Sequence, residues 1–167
     1  YINSSGKTQA FAIEDLMTQL CFGNGARYAA NIISSNANTY FYLFEYPVFG
    51  DLVQSRHAAE LYWLFGKEWL DNVVIGESFN NVCEGIDEVW ISFAKSGVPK
   101  INNKPVETYD QNSQNFIHID TNGNVRQDNG KEVFAKYQPI SNLLKYDALA
   151  LLINFQILDS NYLVSKD

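Results

Sequence analysis

The sequence predicts an α/β fold of which these 167 residues supply one part. Two stretches carry that reading. Thr39-Tyr40-Phe41-Tyr42-Leu43-Phe44-Glu45-Tyr46 is apolar or β-forming at nearly every position, the pattern of a strand buried on both faces in a mostly parallel sheet. Residues 79–95 carry Val82, Ile86, Val89, Trp90 and Phe93 at three- and four-residue steps, the stripe of an amphipathic helix. A strand buried on both faces needs neighbours on each side, and few other segments read as strands. A slice of a larger α/β fold satisfies both observations.

The remaining elements follow in order. Residues 13–34 read as helical, with Asp15 ahead of Leu16, Met17, Leu20 and Cys21 on one face. Gly23-Asn24-Gly25 is expected to interrupt that helix before it resumes at Ala26. Pro47 stops the aromatic strand, because proline has no N–H to give a sheet ladder. A loop containing Gly50 leads to His57, and a further segment runs from Ala58 to Phe65 with Gly66 as its stop. Gly97 and Pro99 end the strong helix, and residues 100–114 read as loop. Phe116-Ile117-His118-Ile119-Asp120 reads as a short strand and Asn122-Gly123 as a turn. Residues 143–158, apolar almost all round, read as a buried terminal helix. Tyr62, Trp63, Trp90 and Phe93 are assigned to the core.

Composition excludes several classes. Hydrophobic content of 46% and aromatic content of 14% suffice for a packed core. Net charge is −7, with lysines and arginines scattered rather than striped, so nucleic-acid binding has no electrostatic footprint. No run approaches the roughly 18 apolar residues of a membrane span. Cys21 and Cys83 form neither a C-x-x-C pair nor a disulfide framework and are expected to be buried thiols. Asn3-Ser4-Ser5 matches the glycosylation acceptor pattern, a short motif with little weight of its own.

Three blocks in order resemble the C-terminal stretch of the type-B carboxylesterase and cholinesterase family. The first is the aromatic strand Tyr40-Phe41-Tyr42-Leu43-Phe44. The second is His57-Ala58-Ala59-Glu60-Leu61-Tyr62-Trp63-Leu64-Phe65-Gly66. The third is Trp90-Ile91-Ser92-Phe93-Ala94-Lys95-Ser96-Gly97-Val98-Pro99. The family's Trp-Pro after the third block is missing from Lys104-Pro105-Val106-Glu107-Thr108-Tyr109, and the usual glycine close before His57 is replaced by Asp51-Leu52-Val53-Gln54-Ser55-Arg56. The resemblance implies an α/β-hydrolase fold, with residues 1–167 forming its C-terminal segment. An N-terminal part of the same protein would carry the nucleophilic serine and the triad acid.

The resemblance further implies that His57 is the triad histidine of an ester hydrolase. Imidazole suits that work because its ordinary pKa lies near neutrality, so it can take a proton from serine and return it to the departing alcohol. By position in the family, Phe49, Val53 and Ala59 line the acyl or alcohol pocket; ordinary packing accounts for the same residues equally well, since clefts and cores are both apolar. No metal or organic cofactor is implied. The expected partners are the N-terminal part and a small-molecule ester, and the chain alone is expected not to turn over substrate. A cholinesterase-like adhesion domain that has lost triad members is the rival reading, and an unrelated binding module the third.

Other candidates have plainer explanations. Glu60, three residues after His57, is expected to anchor its segment by accepting hydrogen bonds, because the α/β-hydrolase chain order puts the acid before the histidine. A metal site from His57-x-x-Glu60 lacks a second such pair. His118 is expected to be a satisfied sheet residue. Gly76-Glu77-Ser78-Phe79-Asn80 imitates a nucleophile elbow but lacks the second glycine that the tight turn requires; Ser78 or Glu77 fits better as a helix cap.

Overall fold

The computed structural model describes residues 9–47, 55, 58–65, 79–135 and 137. They fall into two units, one drawn from Tyr1–Ala29 with Phe134–Asp167 and the other from Ala30–Val133. The expected helix at residues 143–158, the Asn3 acceptor pattern and the Gly76-Glu77-Ser78 motif lie outside the described residues.

The first unit holds α1 (Gln9–Thr18), a five-residue π-helix (Gln19–Gly23) and the start of α2 (Asn24–Ile33). The expected interruption at residues 23–25 is thus a π-turn that keeps the rod going instead of a break. Single widened turns of this kind occur inside otherwise continuous α-helices. Here the Arg27 guanidinium donates to Gln19 Oε1 at 2.7 Å and to Asn24 Oδ1. It also lies 4.9 Å from the Phe134 ring centroid and 5.6 Å from that of Tyr137, a stacked, largely desolvated placement suited to a delocalised cation. Asp15 lies inside α1, not at its cap, and accepts from the Tyr137 hydroxyl at 2.9 Å. Cys21 is exposed, contrary to the buried thiol expected.

The second unit carries the sheet. Its three strands, β1 (Tyr42–Phe44), β4 (Asn115–Ile119) and β5 (Val125–Asn129), lie in the order β1-β4-β5. β1 runs parallel to β4 with Tyr42 opposite Ile117, and β4 runs antiparallel to β5 with His118 opposite Arg126. Val-Arg-Gln-Asp-Asn of β5 lacks the apolar alternation of a strand; pairing with β4 overrides its low propensity. Asp120 and Gly123 make the connecting turn. Gly123 has φ +82°, a backbone state that glycine enters without steric cost, and the Asp120 carboxylate accepts the N–H groups of Asn122 and Asn124, each at 2.9 Å.

α3 (Ala59–Phe65) and α4 (Phe79–Ser96) cover one face of this sheet. Val82, Ile86 and Val89 of α4 share a cluster with Ala59, Trp63, Ile117 and Ile119. Gly85 permits the close approach: a Cβ there would sit 2.5 Å from a Val125 methyl. After α4, β2 (Lys100–Ile101) and β3 (Lys104–Pro105) form a two-residue-loop hairpin inside the segment read as loop. Asn102 and Asn103 both have positive φ, 52° and 62°, which asparagine tolerates and a tight hairpin demands. Glu88 of α4 accepts both of their N–H groups, at 2.8 and 2.6 Å.

Two packing expectations need correcting. Of the four aromatics assigned to the core, only Trp63 is buried; Tyr62, Trp90 and Phe93 are 39–46% exposed. The aromatic strand is also only partly covered, with Tyr42 at 38%. The cause is common to both: a ring is buried only by what lies over it, and the described residues provide cover for one side of α4 and one edge of β1.

Candidate active site

His57, Phe49 and Val53 lie outside the described residues, so the site is built from what adjoins them. Ala58, the residue after His57, has φ +61°, a left-handed state that costs a side-chain-bearing residue on the order of 1–2 kcal/mol. Such strain persists only where the surroundings over-determine it. Here the surroundings are α3, which starts at Ala59, and the Ala58 carbonyl accepts the Leu61 N–H at 3.1 Å.

α3 is stapled at two points, to β1 and to Tyr46 just after it. Trp63, fully buried, meets the Tyr46 ring edge-on with centroids 5.3 Å apart and planes at 84°. Glu60 accepts the Tyr42 hydroxyl at 3.0 Å. Burial, followed by the Glu60 charge and this hydrogen bond, pushes the Tyr42 phenol up to about 12, so it stays a donor at any physiological pH. Glu60 therefore anchors its segment, as expected from its spacing. Ala59 is 1% exposed and belongs to the hydrophobic cluster; its small side chain lets α3 sit close to the sheet.

The other histidine stands in a different setting. On β4, Ile117 and Ile119 point into the hydrophobic cluster, whereas Phe116, His118 and Asp120 alternate onto the opposite face. His118 Nε2 is 2.7 Å from Glu45 Oε2 and Nδ1 is 2.6 Å from Asp128 Oδ2. Arg126 bridges Asp128 through Nε, 3.0 Å from both oxygens, and reaches Asp120 through Nη1. Burial would raise the Asp120 pKa, but the N–H groups of Asn124 and Asn122 with Arg126 hold it down at about 2. Asp128 is likewise held below the usual carboxylate range: burial opposes this, and hydrogen bonds from His118 and Arg126 outweigh it.

These contacts settle what His118 can do. A general base must offer a free nitrogen lone pair, and both ring nitrogens of His118 face carboxylate oxygens. It is a satisfied sheet residue, as its position between Ile117 and Ile119 suggested. The network around it was not foreseen, because Asp128 and Arg126 become its neighbours only through the β5 pairing. The signal available was the spacing Arg126-x-Asp128, which puts both side chains on one face once β5 is recognised as a strand.

A shallow polar cleft of about 450 Å³ lies elsewhere in the unit, lined by Ser34, Asn36, Ala37, Asn38, Thr108 and Tyr109. It brings hydroxyls and amides together without a base to activate them. Among the described residues there is no cluster of metal-ligating side chains, and no helix is long and apolar enough to cross a membrane.

The sequence model of the carboxylesterase family matches residues 2–136. Bile salt-activated lipase of Rattus norvegicus is 30% identical over 105 residues, covering 59% of this chain and 17% of that protein. The Mus musculus protein of the same name is 30% identical over 80 residues, covering 46% and 13%. Two solved structures of PNB esterase share the fold, each with a TM-score of 0.61 at 23% identity. One match covers 71% of this chain and 25% of the esterase, the other 80% and 28%. These neighbours are α/β-hydrolases with a mixed sheet flanked by helices, and the chain spans a quarter or so of their length.

Proposed function

Because the chain belongs to the carboxylesterase family, we propose that it serves a carboxylic ester hydrolase as the segment that supplies the triad histidine, His57. The observation that carries this reading is the family match across residues 2–136, which takes in the His57-x-x-Glu60 block. The seating of that block supports it further. Ala58 holds a left-handed backbone, and α3 is locked to β1 through Trp63 and Glu60.

In the proposed reaction a serine hydroxyl attacks the ester carbonyl while the His57 imidazole takes its proton. The imidazolium then gives that proton to the departing alcohol, leaving an acyl-serine, and in the second half His57 activates water in the same way. The serine, the triad acid and the oxyanion-hole amides come from a part of the parent protein outside these residues. Phe49 and Val53 flank the acyl or alcohol group of a small-molecule ester, whereas Ala59 packs in the hydrophobic cluster. Both curated relatives are called lipases and the structural neighbours esterases, names that fit this reaction class. The half-exposed rings of Tyr42, Trp90 and Phe93 support the need for a further part of the fold to lie over them.

Labelling the intact protein with a fluorophosphonate serine-hydrolase probe, alongside turnover of a chromogenic ester, tests the proposal. Wild-type protein is expected to label and to hydrolyse, and His57→Ala to do neither while keeping its fold. Absence of labelling in well-folded wild type would instead make this a non-catalytic relative with an adhesion or scaffolding role.

A further inference from the structure

His118 is bonded on both sides by carboxylates, and the proposed esterase reaction leaves it without a task. The described groups that face it come from three elements. Glu45 follows β1, Asp128 and Arg126 lie on β5, and Asp120 ends β4. The cluster holds three carboxylates and one guanidinium, so a positive imidazole brings it closer to neutrality. Geometry makes the same demand. Carboxylate oxygens accept and cannot donate, so contacts of 2.6 and 2.7 Å at Nδ1 and Nε2 both require a ring N–H. A neutral ring has one N–H only, and would aim its lone pair at one of the two carboxylates.

We propose that His118 is an imidazolium bolt that ties the exit of β1, through Glu45, to β5, through Asp128, and that loses one of its two arms on deprotonation. The bolt spans the three described strands of the sheet, since β4, which carries His118, lies between β1 and β5. It closes the end at which the Glu45 N–H also bonds Ile119 O at 2.8 Å. Arg126 Nη2 stands 3.1 Å from His118 Nδ1, a donor and a like charge that both favour a neutral ring; the shorter 2.6 Å contact with Asp128 Oδ2 claims Nδ1 as a donor instead. The balance falls on the side of the proton. Burial lowers the His118 pKa, but the hydrogen bonds to Glu45 and Asp128 and the Glu45 charge outweigh burial and Arg126, holding it above the ordinary 6.5.

The sign of the pH dependence follows. A group whose pKa is raised on folding stabilises the fold fully below its unfolded value and loses that contribution as pH climbs through the raised one. The bolt therefore holds fully below the ordinary histidine value and loosens as pH climbs through the raised one. This contrasts with the carboxylate pairs of the same cluster, which weaken in acid.

The test is nitrogen-15 NMR of the intact protein with labelled histidine, the His118 signal assigned by its loss in His118→Gln. Both ring nitrogens are expected to be protonated at about pH 6, with a titration midpoint above the ordinary histidine value. Glu45→Gln is expected to move that midpoint down. The difference in Tm between wild type and His118→Gln should be larger at about pH 6 than at about pH 9. If His118→Gln does not fold, the same comparison is made with Glu45→Gln, which leaves the Asp128 arm in place. A single neutral tautomer at about pH 6, or a Tm difference that does not change with pH, overturns the proposal. Neither readout depends on His57, so failure here and failure of the esterase reading are separate results.

Discussion

The two histidines of this chain sit beside regions held together by opposite means. The α3–β1 seam next to His57 is fixed by rings and one hydrogen bond from a phenol to a carboxylate: Trp63 on Tyr46, and the Tyr42 hydroxyl on Glu60. The β4–β5 end around His118 is fixed by ions. The contrast shows what each residue is available for. Charged partners on both ring nitrogens give His118 a stable proton and remove it from proton transfer. The residues that follow His57 are two alanines, one strained and one buried, and neither carries a side-chain group that could bond an imidazole.

The largest expected effect comes from exchanging the histidines one at a time in the intact protein. His57→Ala should lower kcat for ester hydrolysis by roughly 10⁴-fold or more, whereas His118→Gln should leave kcat within several-fold. Steady-state kinetics on a chromogenic ester decides it, and similar losses in both variants would erase the contrast.

The next effect lies in the seam's packing. Trp63→Ala should lower unfolding stability by about 3–5 kcal/mol, as large-to-small changes at buried aromatics do, measured by denaturant titration. Ala58 gives a smaller and more pointed test. Because its φ is +61°, Ala58→Val should cost about 1–2 kcal/mol through steric conflict in the left-handed region, while Ala58→Gly should be tolerated. If both behave alike in the same titration, the strain assigned to this position is wrong. The smallest effect belongs to Tyr42→Phe. Losing the hydroxyl bond to Glu60 at a half-exposed site should cost at most about 0.5–1 kcal/mol, and should leave the pH dependence at the His118 end untouched.

Much of this was legible in the order of residues. The amphipathic stripe of α4, the aromatic identity of β1, the turn at Asn122-Gly123 and the anchoring role of Glu60 all follow from short-range pattern, because side-chain periodicity and turn chemistry act over a few residues. Family kinship was legible for the same reason: His57-x-x-Glu60 and the block from Trp90 to Pro99 are contiguous. Strand β5 and the Asn102-Asn103 hairpin were not, since polar residues become strands only when a partner offers its ladder. Burial was misjudged at Tyr62, Trp90 and Phe93 because hydrophobicity says that a ring prefers cover, and only the packed structure says where cover exists. The network of Glu45, His118 and Asp128 depended most on tertiary structure. Its members are 73 and 10 residues apart along the chain, and only the parallel pairing of β1 with β4 and the antiparallel pairing of β4 with β5 bring their charges within hydrogen-bonding distance.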